Sequence, residues 1–193
     1  MAMLSREAIE NMGFASIGEN VQISDRASFY GTNRIALGSN VRIDDFCVLA
    51  AGAAGIFIGN QVHIAVGSSL IGAGKITVSD FSGLSSRVSI YSSSDDYTGT
   101  TLTNPTVPSK YTGVTHADVF LGKHVIIGTG SVILPGVTME EGVAVGALSL
   151  INKRCQAFGI YSGNPARRIS ERKRDLLDLE IDFMNEKMKS LGI

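Results

Sequence analysis

The stretch LGKHVIIGTGSVILPGVTMEEGVAVGALSLI, residues 121–151, decides the fold. An apolar side chain returns every six positions, at Leu121, Ile127, Ile133, Met139, Val145 and Ile151. Glycine follows three of them directly, in Leu121-Gly122, Ile127-Gly128 and Val145-Gly146. Four positions after each comes a second inward candidate: Val125, Ser131, Val137, Val143 and Ser149. A helical stripe repeats near 3.6 and 7 residues, so a strict period of six excludes it. That period suits a triangular solenoid, with one short strand per face, one turn per corner and each coil stacked on the next.

Toward the N-terminus the same signature continues with a longer step. Ile17-Gly18, Ile23 and Phe29 open one run, and Leu37-Gly38, Ile43 and Leu49 the next. Ile58-Gly59, Ile64 and Leu70 follow, then Val78, Leu84 and Ile90. The leading positions 17, 37, 58, 78, 121 and 139 are separated by 20, 21, 20, 43 and 18 residues. Three hexads make 18, so the early coils carry two or three extra residues, expected near the third corner. The step of 43 holds a long excursion, at about Tyr91 to Ala117. No hexad buries its face alone, and about six coils at ~4.8 Å each build a stack roughly 30 Å tall.

The expected organisation is therefore an all-β solenoid over residues 14–163, with the excursion at 91–117. Within residues 1–13, Ser5 to Met12 reads as a short helix with Ser5 as N-cap and Gly13 as terminator. Within residues 164–193, Arg167 to Met188 is charge-rich, with Leu176, Leu177, Leu179, Ile181, Phe183, Met184 and Met188 interleaved. That pattern predicts an amphipathic C-terminal helix whose apolar stripe either caps the solenoid or meets a partner.

Composition narrows the function. Hydrophobic residues make up 44% of the 193 and charged residues 18%, which excludes a disordered polyelectrolyte. A net charge of −1 offers no global positive field for nucleic acid or an anionic membrane. The longest uncharged apolar run, Val48 to Gly59, is too short to span a bilayer. Met-Ala-Met-Leu-Ser-Arg-Glu lacks the charged-then-apolar order of a secretory signal. Cys47 and Cys155 make no disulfide framework. Cys47 falls on an inward position and Cys155 ends the last coil, so neither is an activated thiolate. These features together predict a soluble cytoplasmic protein. Gly72-Ala-Gly-Lys75 fails the spacing of a phosphate loop and reads as a solenoid corner.

Three blocks carry a resemblance: Leu121 to Val137, then Val145-Gly-Ala147, then Ser162-Gly-Asn-Pro-Ala-Arg167. In this order they resemble the left-handed parallel β-helix acyltransferases of the hexapeptide-repeat family. The branch they resemble holds the sugar O-acetyltransferases and nucleotide-amino-sugar N-acyltransferases of surface polysaccharide synthesis. The resemblance implies a left-handed helix and direct transfer from acetyl-CoA to a sugar, with no metal and no covalent enzyme intermediate. It also implies a homotrimer with active sites between subunits, where the excursion completes the acceptor site. Small residues along the last coils would hold the pantetheine arm, and basic side chains at their foot would meet the phosphates. Those positions fall here on Thr129, Gly146, Ala147, Asn152, Lys153 and Arg167.

Many members place a histidine near the start of the loop as general base. Here the matching position is Asp95, with Asp96 beside it, and Tyr97 and Asn104 farther along as acceptor contacts. His116 ends the excursion and is the alternative base. His63 and His124 read as surface corner residues. A sugar hydroxyl needs a base with a pKa near neutrality, whereas a sugar amine reaches its nucleophilic form more cheaply. Asp95 in that place favours the amine of a nucleotide-linked sugar; His116 keeps the hydroxyl open. Two other classes stand beside these. A non-catalytic β-helix scaffold would not bind CoA. A metal-dependent β-helix of the carbonic-anhydrase kind needs three converging histidines, and His63, His116 and His124 lack that spacing.

Overall fold

The computed structural model describes residues 2–190. The hexads form a parallel β-helix of three faces. Ile17, Leu37, Ile58, Val78, Leu121 and Met139 lie in register on neighbouring strands of the first face. Ile23, Ile43, Ile64, Leu84, Ile127, Val145 and Tyr161 do so on the second. Phe29, Leu49, Leu70, Ile90, Ile133 and Ile151 do so on the third. Six full coils and part of a seventh result among the described residues. Nearly all these side chains are buried, as are the second inward positions Val125, Ser131, Val137, Val143 and Ser149. Each buried Ile or Leu contributes about 1.5–3 kcal/mol of transfer free energy, and the ladders make that contribution continuous along the axis.

The corners need residues in the left-handed region. At the first corner Asn20, Asn40, Gln61, Phe81, His124 and Phe158 adopt φ between 52° and 60°. A non-glycine residue there costs about 1–2 kcal/mol. Stacking offsets part of that cost: Asn20 Nδ2 donates to Asn40 Oδ1 at 3.2 Å, and the Phe81 ring lies on His124 with centroids 5.2 Å apart. The extra residues of the early coils do fall at the third corner, the first of them as a single 3-10 turn over Thr32–Arg34.

The excursion leaves the third corner after Ser89–Tyr91 and returns before Val119–Leu121. A two-residue antiparallel ribbon forms its stem, Ser93 opposite His116 and Ser94 opposite Thr115. At the N-terminal end helix α1 (Arg6–Asn11) lies over the first coil with Ile9 fully buried. Ser5 Oγ caps it by accepting from the Ala8 amide at 3.2 Å.

The C-terminal end departs from expectation. No helix begins at Arg167. Gly159–Gly163 and Ala166–Glu171 instead form an antiparallel hairpin that ends the second face. Helix α2 starts only at Asp175 and runs to Ser190. The Arg167-Arg-Ile-Ser-Glu171 segment is extended because it pairs with Gly159–Gly163, a partner that a count of charges over the segment does not show.

Helix α2 lies against the first corner. Phe183 meets Phe81 edge-on, with centroids 6.0 Å apart. Glu180 pairs with Lys123, and its second oxygen lies 2.6 Å from His124 Nε2. His124 is thus a buried histidine under a helix, not the surface corner residue its hexad position implied. The sequence could not show this, because the covering element lies more than fifty residues away.

Candidate active site

The excursion and the stack present separate clefts. At the foot of the loop a cleft of about 730 Å³ is lined by Ser93, Ser94, Asp95 and Asn104, with Val107, Pro108 and Val114 as its apolar side. Asp95 is exposed there. Asn104, with φ 74°, accepts from the Thr106 amide and hydroxyl, so its side chain shapes the loop as well as the cleft. His116 lies across the stem, its Nδ1 2.7 Å from Ser93 Oγ. Asp95, Asn104 and His116 therefore sit around the loop base.

Asp96 and Tyr97 do not join them. Asp96 accepts from the Thr98 amide and hydroxyl, the Thr100 hydroxyl and the Thr101 amide, at 2.6–2.8 Å. The Thr98 hydroxyl, then that of Thr100, and these amides hold its carboxyl far below the usual carboxylate range. With both oxygens so engaged, Asp96 is a staple of its own loop. Tyr97 projects into solvent, 91% exposed.

Of the residues expected for the donor, Thr129, Gly146 and Ala147 lie at the second corner, Asn152 and Lys153 at the third corner of the last full coil, and Arg167 on the closing hairpin. Thr129 and Ala147 occupy the same corner one coil apart, and both are exposed. Among the described residues their amide N–H groups have no acceptor within the chain, whereas Gly128 and Gly146 donate along the ladder to Val145 and Tyr161. Ser131 and Ser149 turn inward and both donate to the Gly146 carbonyl, at 3.0 and 2.7 Å, which fixes this corner from within. A slim chain carrying amide carbonyls fits such a surface: small side chains, and two N–H groups one coil apart. Asn152 and Lys153 line a small hollow together with Ala166, next to Arg167. Arg167 is exposed on the hairpin strand, so it reaches the foot of the stack from a strand. Arg168 is tied to Glu171 at 2.8 Å.

Residues that pattern reading missed surround Thr129. A cleft of about 400 Å³ joins Thr129 to His63, Ser85, Ser86 and Ile126. Ser85 and Ser86 hold, one coil earlier, the corner positions of Gly128 and Thr129. That alignment of corners was the available signal. His63 stands outward on the second face, its Nε2 2.8 Å from Asp44 Oδ2. Burial alone pushes the Asp44 carboxyl up, but hydrogen bonds from Arg42 and His63 outweigh it and hold it below 3.8. The three histidines stand on the second face, the loop stem and the first corner, and among the described residues no three His, Cys, Asp or Glu side chains form a metal-sized cluster. Both thiols are buried, and burial pushes Cys155 up to about 11.

No family model matches the chain. Individual proteins do. The chain is 56% identical, over 95% of its own length and 95% of the relative's, to a dTDP-4-amino-4,6-dideoxy-D-glucose acyltransferase of Escherichia coli. It is 43% identical to AntD, an N-acyltransferase from Bacillus cereus, solved in complex with dTDP and 3-hydroxybutyryl-CoA. The two structures agree with a TM-score of 0.90 over 99% of this chain and 98% of that one. A further AntD structure, a serine variant at 42% identity, holds dTDP-4-amino-4,6-dideoxyglucose and coenzyme A. It covers 95% of this chain and 97% of that one, with a TM-score of 0.92. With the parallel β-helix, the looped-out excursion and the open corner at Thr129 and Ala147, these likenesses establish the chain as an acyl-CoA-dependent acyltransferase of the left-handed β-helix family, in the branch that holds these nucleotide-amino-sugar enzymes.

Proposed function

We propose that the chain transfers an acyl group, acetyl in the simplest case, from an acyl-CoA to the amino group of a dTDP-linked 4-amino-4,6-dideoxyhexose. The observation that carries this reading is the 56% identity, end to end, with an enzyme of that acceptor. The loop supports it, since Asp95 offers a carboxylate in the cleft at the loop base. A carboxylate there orients an ammonium group and takes its proton as the neutral amine attacks the thioester carbonyl. The amides of Thr129 and Ala147 and the side chains of Asn152, Lys153 and Arg167 are the groups we assign to the donor; Asn104 lines the acceptor side. Rate enhancement comes chiefly from holding the two substrates together.

The open amides of Thr129 and Ala147 at the second corner stand apart from the acceptor loop, which leaves the third corner. That separation supports a site completed by a neighbouring copy, and we read the assembly as a homotrimer of roughly 60 kDa from chains of 20.4 kDa. No helix among the described residues is long and apolar enough to cross a membrane. We place the reaction in the cytoplasm, where acyl-CoA and nucleotide sugars are supplied, on a route to surface polysaccharide.

The test follows thiol release from acetyl-CoA between pH 6 and 9, with matched 4-amino and 4-hydroxy nucleotide sugars. Asp95→Asn should lose most activity at low pH, where little free amine exists, and recover as pH rises. His116 is exposed at the stem and would serve a hydroxyl acceptor. An enzyme that ignores the amino sugar, tolerates Asp95→Asn and dies with His116→Asn would overturn the reading.

A further inference from the structure

Helix α2 presents two faces, and only one is used. Glu180 and Phe183 hold it to Lys123, His124 and Phe81. About one residue's rotation away, Leu177, Ile181, Met184 and Met188 form a second line, with spacings of four, three and four. Ile181, Met184 and Met188 are 59%, 40% and 44% exposed. Spacings that alternate three and four are those of a coiled-coil seam, which asks for another helix rather than a flat sheet.

The seam borders a groove. Leu177, Ile181 and Met184 line a hollow of about 450 Å³ whose far side is Lys123. Lys123 also ends a trough of about 680 Å³ over the first face, floored by Ala36, Phe57, Thr77 and Phe120. These four side chains stand in register on neighbouring strands, and the two phenylalanines are 44% and 43% exposed. An apolar ridge thus runs beside an apolar trough on a single chain.

The charges say what covers them. The first turn of α2 carries Asp175 and Asp178, and its last turn Lys187 and Lys189. Two such helices side by side and parallel set like charges together. Antiparallel, the acidic start of each meets the basic end of the other, and the apolar layers become Leu177 on Met188 and Ile181 on Met184. From this complementarity we propose that α2 is a self-pairing surface: two copies of this chain join about a two-fold axis, each α2 lying antiparallel to the other in the trough its partner offers. This pairing involves neither the loop base nor the second corner. It would join two assemblies of the kind that shares active sites, whatever their number of subunits.

Sedimentation equilibrium of the full chain tests the idea, comparing wild type with Ile181→Lys/Met184→Lys. These changes leave Glu180, Phe183 and all candidate site residues intact. The wild type should have twice the variant's mass, with the concentration of half-association raised about a hundredfold or more in the variant. Acyl transfer should continue in both. Equal masses at every concentration would overturn the proposal, including the case where α2 serves an unrelated partner. A second experiment does not depend on lysine being tolerated. In mild oxidant, Leu177→Cys/Met188→Cys should form an intermolecular disulfide while Ile181→Cys alone should not; Cys47 and Cys155 are buried and do not interfere. Crosslinking through Ile181→Cys alone would mean parallel helices, and no crosslink in either variant would mean no pairing; each overturns the proposal.

Discussion

Individual positions divide into those that pattern identifies and those that need neighbours. Ala147 belongs to the first kind: its exposure beside an inward-turned Ser149 follows from its place in the hexad. Ala147→Trp should raise the KM for acetyl-CoA about tenfold or more by covering the open corner, with kcat at saturation little changed. Steady-state kinetics and calorimetry with CoA check this, and unchanged affinity would remove the donor from the second corner. Asp96 belongs to the second kind. In sequence it matches Asp95 in type and place, yet five hydrogen bonds from three threonines occupy it. Which of two adjacent aspartates faces the cleft depends on the loop's own closure, and no periodicity governs a loop. His124 failed for a related reason, since the buried partner that defines it is remote in the chain.

Among the elements, strands and corners were legible because each hexad repeats the same physical demand: one apolar side chain in, one residue able to turn. Helix α1 was legible from its cap. The start of α2 was not, because the preceding hairpin is stabilised by pairing with the solenoid's last strand rather than by local preference. Burial alone pushes the Glu180 carboxyl up; hydrogen bonds from Lys123 and His124 outweigh this and hold it below its usual 4.5. A carboxyl depressed in the folded state stabilises fully above its unfolded value and loses that contribution as pH falls through the folded one. Glu180→Gln should therefore lower the melting temperature at pH 7 by about 2–4 °C, on the order of 1 kcal/mol, and the gap to wild type should narrow progressively as pH falls below the unfolded value. A gap that persists unchanged at pH 3 would assign the effect to packing alone.

The whole molecule is a stack whose repeating unit is also its weakness. Every coil offers the next a row of unpaired backbone groups, and a parallel β-helix has no intrinsic last coil. Both ends are closed by something that is not a coil: α1 with its buried Ile9 at one end, the Gly159–Glu171 hairpin and α2 at the other. The hairpin reverses strand direction, so the outermost strand, Ala166–Glu171, no longer matches the parallel ladder and carries Arg167, Arg168 and Glu171. These caps set the polymer chemistry of the protein. A chain cut after Gly163 would expose a flat, parallel-competent edge, the kind on which strands add without limit. Such a chain should grow end to end into filaments that bind thioflavin and scatter light, with a lag shortened by seeding, while the full chain stays clear at the same concentration. On this account, the last thirty residues are what keeps a repeating solenoid from becoming a fibre.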